Sequence, residues 1–167
     1  MSLTTLDIKE PGLNTLPPGV ERYVVEGGGL TGIQILPDDE IKIINNEGNQ
    51  LCEISAFNKD GKSDLAILGL KEIKENSEIK KILFKKDETS LQALLQLKKR
   101  NLNIEKSKSS LIFDKETKAG EIIKLKSKDK CYCIFAAPGE KMMVHEQNPS
   151  TELTVIVKRS VIKKDKE

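Results

Sequence analysis

The chain has 167 residues, 37% hydrophobic and 32% charged, enough apolar mass for one core and a heavily solvated surface. Lys and Arg total 28 against 26 Asp and Glu, a formal net charge of +2. That near balance excludes a polyanion binder acting by bulk charge. The longest apolar run, Cys131 to Ala137, has seven residues, far below the roughly 20 of a membrane-spanning helix.

Residues 1–19 read as an extended N-terminal arm, because Pro11, Pro17 and Pro18 with Gly12 and Gly19 interrupt any regular element. A single β-rich domain is expected over residues 20–162, and the charged residues 163–167 read as a tail or the start of a linker. Within the domain, Arg22–Glu26 and Thr31–Leu36 read as strands, the second stopped by Pro37. Glu40–Ile44 and Gln50–Phe57 flank Asn45-Asn46-Glu47-Gly48-Asn49, and that arrangement predicts a hairpin.

The period then changes. A short helix is expected over Asp64–Leu70, a second over Ser77–Phe84 and the clearest over Thr89–Asn101. Thr89 and Gln92 have the spacing of a capping box. Leu91, Leu94, Leu95 and Leu102 form the apolar stripe expected to face the core. Strands return at Leu111–Asp114, Glu121–Lys126, Lys130–Ala137 and Leu153–Val161. Cys131–Ala137 is apolar on both faces, as a covered central strand would be. The expected class is α+β, a mostly antiparallel β barrel or sandwich with two or three helices in the middle of the chain.

Gly27-Gly28-Gly29-Leu30-Thr31-Gly32 fits the dinucleotide pattern G-x-G-x-x-G in letters only. The segment that follows is β-rich and broken by Pro37, so no helix begins there to meet a pyrophosphate. A tight turn is the better account. The three cysteines, Cys52, Cys131 and Cys133, are too few and odd in number for a disulfide framework, and the opening residues have no signal-peptide pattern. A reducing, cytoplasmic setting is expected. Cys131 and Cys133 share a strand face and could hold a metal with His145, the only histidine, although burial as small apolar residues is the stronger expectation. Only 4% of residues are aromatic, which disfavours a base-stacking surface, so no nucleic-acid partner is expected.

No nucleophile elbow is present. Glu53, on an apolar strand face, and His145 are the candidate acid–base residues. Polar residues suited to ligand contact concentrate in Met142–Glu152, between two strands: His145, Gln147, Asn148 and Glu152. Arg22, Gln50 and Asn58 complete the candidate ligand-binding set.

Glu40 to Gln50 (EIKIINNEGNQ) with Ala56-Phe57-Asn58 resembles the strand–turn–strand of the urea-carboxylase-associated domain family. Gly19–Tyr23, Asp60–Asp64, Ala136–Met142 and Gln147–Leu153 resemble the N-terminal domain of bacterial proteins that continue into a glycine-cleavage T-protein-type aminomethyltransferase domain. The resemblance implies an accessory domain that binds a small amine-like ligand or docks onto a T-protein-like methyltransferase domain in one-carbon or methylated-amine metabolism. It implies no cofactor in this chain, with tetrahydrofolate held only by the associated domain. The additional His and Cys ligands of urea-carboxylase-associated members are absent here, so no metal site carries over. Two other functions stay open: a small β-barrel enzyme acting on an amine or amide through Glu53 or Cys131 with His145, with or without a metal, and a structural oligomerisation module. A homo-oligomer is compatible with each, and no membrane partner is expected.

Overall fold

Alternating apolar and polar residues favour pleated strands with one covered face. The computed structural model, which describes residues 18–71, 74–75, 78–85, 88–114, 116–139 and 151–160, bears this out. The strands are β1 (Val20–Val25), β2 (Leu30–Ile35), β3 (Glu40–Asn45), β4 (Cys52–Phe57), β5 (Lys74–Glu75), β6 (Lys108–Phe113), β7 (Glu121–Lys126), β8 (Cys131–Ala136) and β9 (Leu153–Lys158). A 3-10 turn at Leu65–Leu68 and the helices α1 (Glu78–Leu83) and α2 (Glu88–Lys99) lie between β4 and β6. The helices of the described residues therefore sit where the period change placed them.

Every pairing is antiparallel. One sheet has the order β1-β9-β3-β7 and the other β2-β8-β4-β6-β5. Two open sheets packed face to face make a sandwich, so the barrel alternative does not hold. The chain passes from sheet to sheet at every connection from β1 to β4, and again from β6 to β7, β7 to β8 and β8 to β9. The hairpin expected across Asn45–Asn49 is therefore corrected: β3 pairs with β7 and β9, and β4 with β6 and β8. The turn chemistry was read correctly and its geometry was not. Gly48 and Asn49 have φ of 81° and 58°, and the Asn49 N–H donates to the Thr117 carbonyl at 2.7 Å. A Cβ on Gly48 would stand 2.6 Å from the Ala119 nitrogen, so this crossing needs glycine for space as well as for φ.

The main core lies between the sheets, where Val25, Ile33, Ile35, Ile41, Ile43, Ile54, Phe135, Val155 and Val157 pack together. A second cluster lies on the far face of the five-stranded sheet, where Ile134, Ala136 and Phe57 meet Ile79, Leu83, Ala93 and Leu97 of the helices. Strand β8 feeds both, with Cys131, Cys133 and Phe135 on one side and Ile134 and Ala136 on the other. This is the central covered strand its composition predicts.

The leucine stripe of α2 is corrected in part: Leu102 is buried and Leu94 packs against the second cluster, but Leu91 and Leu95 face away. The helix seats Ser90, Ala93 and Leu97 inward and leaves Leu91 at 51% and Leu95 at 57% exposure. Spacing of three and four positions marks a stripe but not its direction. Here the small Ala93 lets the helix approach the sheet, and Leu97 fills the contact. The helix begins at Glu88, one residue before the expected cap.

All three cysteines are free and buried. Burial, reinforced by the charge of Glu53, pushes the Cys52 thiol well above its ordinary range. Hydrogen bonding to Cys131 and burial push Cys133 up, while that same contact holds Cys131 below the ordinary value. With all three thiols buried, none is expected to react with an aromatic disulfide reagent in the native protein, and all three should react once guanidinium unfolds it. Rapid native labelling of Cys131 or Cys133 would contradict the placement of β8.

Candidate functional site

Four segments converge at one end of the sandwich, where β1 hands over to β2 and β3 to β4. The Gly28 N–H donates to the Ala137 carbonyl at 2.7 Å, and the Ala137 N–H to the Gly29 carbonyl at 3.0 Å. The triple glycine is thus a turn latched to the end of β8, as expected, and no helix follows it.

Gln50 is the hub of this end. Its side-chain amide donates to the carbonyls of Leu51 at 2.8 Å and Pro138 at 2.9 Å. Its Oε1 accepts the Thr151 N–H at 2.8 Å. One buried side chain therefore ties the exit of β8 to the approach of β9. Asn45, buried at the end of β3, donates from Nδ2 to the Gln50 carbonyl at 2.8 Å. Asn46 lies against the Thr154 hydroxyl at 2.9 Å.

Two buried atoms here, Asn45 Oδ1 and the Thr151 hydroxyl, have no hydrogen-bond partner among the described residues. An unmet buried polar group costs about 1–3 kcal/mol; at the opposite end Arg159 Nε is a third such atom among the described residues. The end thus holds a buried carbonyl oxygen that accepts, at the end of β3, and a buried hydroxyl that donates or accepts, just before β9.

The other candidate residues are dispersed. Arg22 is exposed on the outer face of β1, opposite Ile156 in register. Asn58 follows the far end of β4, and its Oδ1 accepts the N–H groups of Asp60 and Lys62 at 2.9 and 3.1 Å, a turn contact. Glu152 is exposed. Glu53 is buried on the helix side of the five-stranded sheet, where its oxygens accept the N–H groups of Glu78 and Ile79 at 3.3 and 3.1 Å. The apolar face that made it conspicuous is covered by α1, and the carboxylate caps that helix. His145, Gln147 and Asn148 lie outside the described residues. The Sγ atoms of Cys131 and Cys133 are 3.6 Å apart, with the Ser127 hydroxyl 3.6 Å from Cys131. Among the described residues no group of three or more His, Cys, Asp or Glu is placed to hold a metal ion.

The opposite end holds a charged network that the sequence did not announce. Arg159 donates from Nη2 to Glu21 at 2.7 Å and from Nη1 to Asp39 at 2.6 Å and to the Gln34 carbonyl at 3.0 Å. All three side chains are buried. The Tyr23 hydroxyl donates to Glu21 at 2.5 Å. Burial and that bond push the Tyr23 phenol well above its usual range. Burial opposes the Arg159 charge, and the two carboxylates outweigh it, so its pKa is raised. Asp39 also accepts the N–H groups of Leu36 and Ser160 at 2.9 and 3.0 Å. Every short contact here is internal, so the network pins strand ends together. The only sequence signal was that arginine occurs three times among 28 basic residues.

This two-sheet α+β chain matches no protein-family model. It is similar to a trimethylamine-oxide aldolase from Ruegeria pomeroyi, 34% identical over 157 residues, covering 93% of this chain and 20% of the relative. The chain therefore spans about a fifth of the length of the curated relative it matches. A solved structure of a DUF1989 family protein from Silicibacter pomeroyi DSS-3 superposes with a TM-score of 0.48 at 10% identity, covering 85% of this chain and 80% of that one.

The family expectation is corrected by these findings. The relative carries the name of an aldolase, not of an aminomethyltransferase or a glycine-cleavage T-protein. The accessory role derived from that resemblance falls with it, because its warrant was the T-protein-type neighbour. Among the described residues no helix is long and apolar enough to cross a membrane.

Proposed function

We propose that this chain is part of an enzyme of methylated-amine metabolism, of the trimethylamine-oxide aldolase type. In this reading the Asn45–Gln50–Thr151 end is where the reactant meets the chain. The 34% identity running along 93% of the chain carries the reading. All carbon in trimethylamine N-oxide is in N-methyl groups. An aldolase-type cleavage therefore releases formaldehyde and leaves dimethylamine in equal amount, with no other reactant needed for balance.

The chemistry of the end suits such a molecule. The positive nitrogen and its polarised methyl groups favour neutral oxygen acceptors such as Asn45 Oδ1, and the oxide favours a donor such as the Thr151 hydroxyl. His145, Gln147 and Asn148, in the segment that Gln50 ties off at both ends, are further candidates for contact. The groove of about 510 Å³ on the outer face of the four-stranded sheet suits it less, because Lys42, Lys124, Lys126 and Lys158 line it.

Thr151→Val separates a binding role from a merely tolerated defect. Removing a buried hydroxyl that no described residue satisfies should leave stability unchanged or raise it by up to about 1 kcal/mol. Losing a donor to the oxide should lower formaldehyde release from trimethylamine N-oxide about tenfold or more in kcat/KM. Formaldehyde trapping on the purified protein, beside thermal unfolding, reads both. Absence of formaldehyde, or a variant as active as the parent, would refute the assignment.

A further inference from the structure

We propose that the solvent face of α2 pairs with the same face of a second copy of this chain, antiparallel about a two-fold axis. The helix has two apolar faces, and the described residues cover only one. Beyond the buried Ala93 and Leu97, it presents Leu91 and Leu95 at 51% and 57% exposure, next to Phe84 at 43%. These residues border a groove of about 760 Å³ that continues over Leu94, Leu102 and Ile104. Singly exposed leucines are ordinary, but a contiguous apolar strip on a helix marks a contact surface.

The occupant follows from the order of residues along the strip. Glu88, Leu91, Leu95 and Lys98 are separated by three, four and three positions, the spacing of the contact seam in a pair of packed helices. Read from either end the strip is an ionic residue, two leucines and an ionic residue, and the two charges are opposite. Turned end for end about a two-fold axis between Leu91 and Leu95, the seam complements itself. Leu91 meets Leu95 of the second copy, and Glu88 meets Lys98 of the second copy, each contact occurring twice by symmetry. Antiparallel pairing also sets each helix N-terminus beside the other's C-terminus, which the macrodipoles favour. Parallel pairing would oppose Glu88 to Glu88 and Lys98 to Lys98. Neither Glu88 nor Lys98 forms an ion pair with another described residue, and both are exposed.

The test is sedimentation equilibrium of the protein over the micromolar to millimolar range. The parent is expected to dimerise. Leu91→Gln with Leu95→Gln should raise the dimer dissociation constant about 100-fold or more, since four leucines leave the interface. Lys98→Glu alone should weaken the dimer about tenfold, because two attractions become two repulsions. Glu88→Lys combined with Lys98→Glu should restore the parent affinity to within about threefold, because the seam is again complementary. All these positions are exposed, and circular dichroism would check that each variant keeps the parent fold. A parent that stays monomeric across the range overturns the proposal. So does a dimer indifferent to the leucine changes, or a charge-swapped double variant as weak as the single one.

Discussion

Arg159→Met is expected to lower the unfolding free energy by about 3–5 kcal/mol, because it leaves two carboxylates buried without their shared cation. The guanidinium joins Glu21 of β1 to Asp39 before β3 and to the Gln34 carbonyl of β2, so one substitution loosens both sheets at the same end. The loss belongs to the stranded charges and not to the volume of the side chain. Arg159→Met combined with Glu21→Gln and Asp39→Asn should therefore recover part of it, since neutral amides cost less to bury than unpaired carboxylates. Arg159→Lys should restore little, because one ammonium cannot reach both carboxylates in the fixed fork of a guanidinium. Urea unfolding measures each variant, with an unchanged denaturant slope showing that the native state is otherwise the same. A loss below about 1 kcal/mol for Arg159→Met would mean that water reaches this network.

Phe135→Ala is expected to cost about 3–5 kcal/mol by removing a ring from the centre of the main core. Phe135 is fully buried and lies in register between Thr31 on β2 and Ile54 on β4. Both neighbours are pinned in their ladders, so the site has little freedom to collapse around the cavity, which places the cost high in the range. Val24→Ala, on the outer face of β1, removes a partly exposed side chain and should cost about 0.5 kcal/mol or less. The contrast between the two tests which face of each sheet is the inner one. Comparable losses at both positions would mean that the outer face is covered.

The pattern of residues made the strands legible, and the reason is local. Alternation in EIKII or LTVIVK is a property of neighbours, and so is the two-sided apolarity of Cys131–Ala137. The misreadings were all of long range. Asn45–Asn49 has hairpin chemistry whether the next strand returns beside β3 or crosses to the other sheet. The leucines of α2 mark a stripe without saying which stripe the sheet will accept, and Ala93 decided it. Glu53 looked like an unpartnered carboxylate because its partners, the N–H groups of Glu78 and Ile79, lie 25 and 26 positions away.

The candidate site was half legible for the same cause. Gln50 stood out by composition, and the structure makes it the hub. Asn45 and Thr151 did not, because their unmet polar atoms arise only when β3 and the approach to β9 meet. Arg159 was marked only by the scarcity of arginine, and Glu21 and Asp39 carried no pattern, because the three are separated by up to 138 positions. Arg22 and Asn58, both drawn into the candidate set by residue type, sit on an outer sheet face and in a distant turn.

The most direct measurement is a titration of isotopically labelled protein with trimethylamine N-oxide, following backbone and side-chain amide resonances. Low-millimolar concentrations avoid the general exclusion effect of this osmolyte, and glycine betaine serves as a control. The account predicts saturable shifts at the Asn45 and Gln50 side-chain amides and the Thr151 N–H. Those shifts should be absent with glycine betaine and lost in Thr151→Val. Saturable shifts confined to the lysine-lined sheet face or to α2, or no saturable shift anywhere, would contradict it.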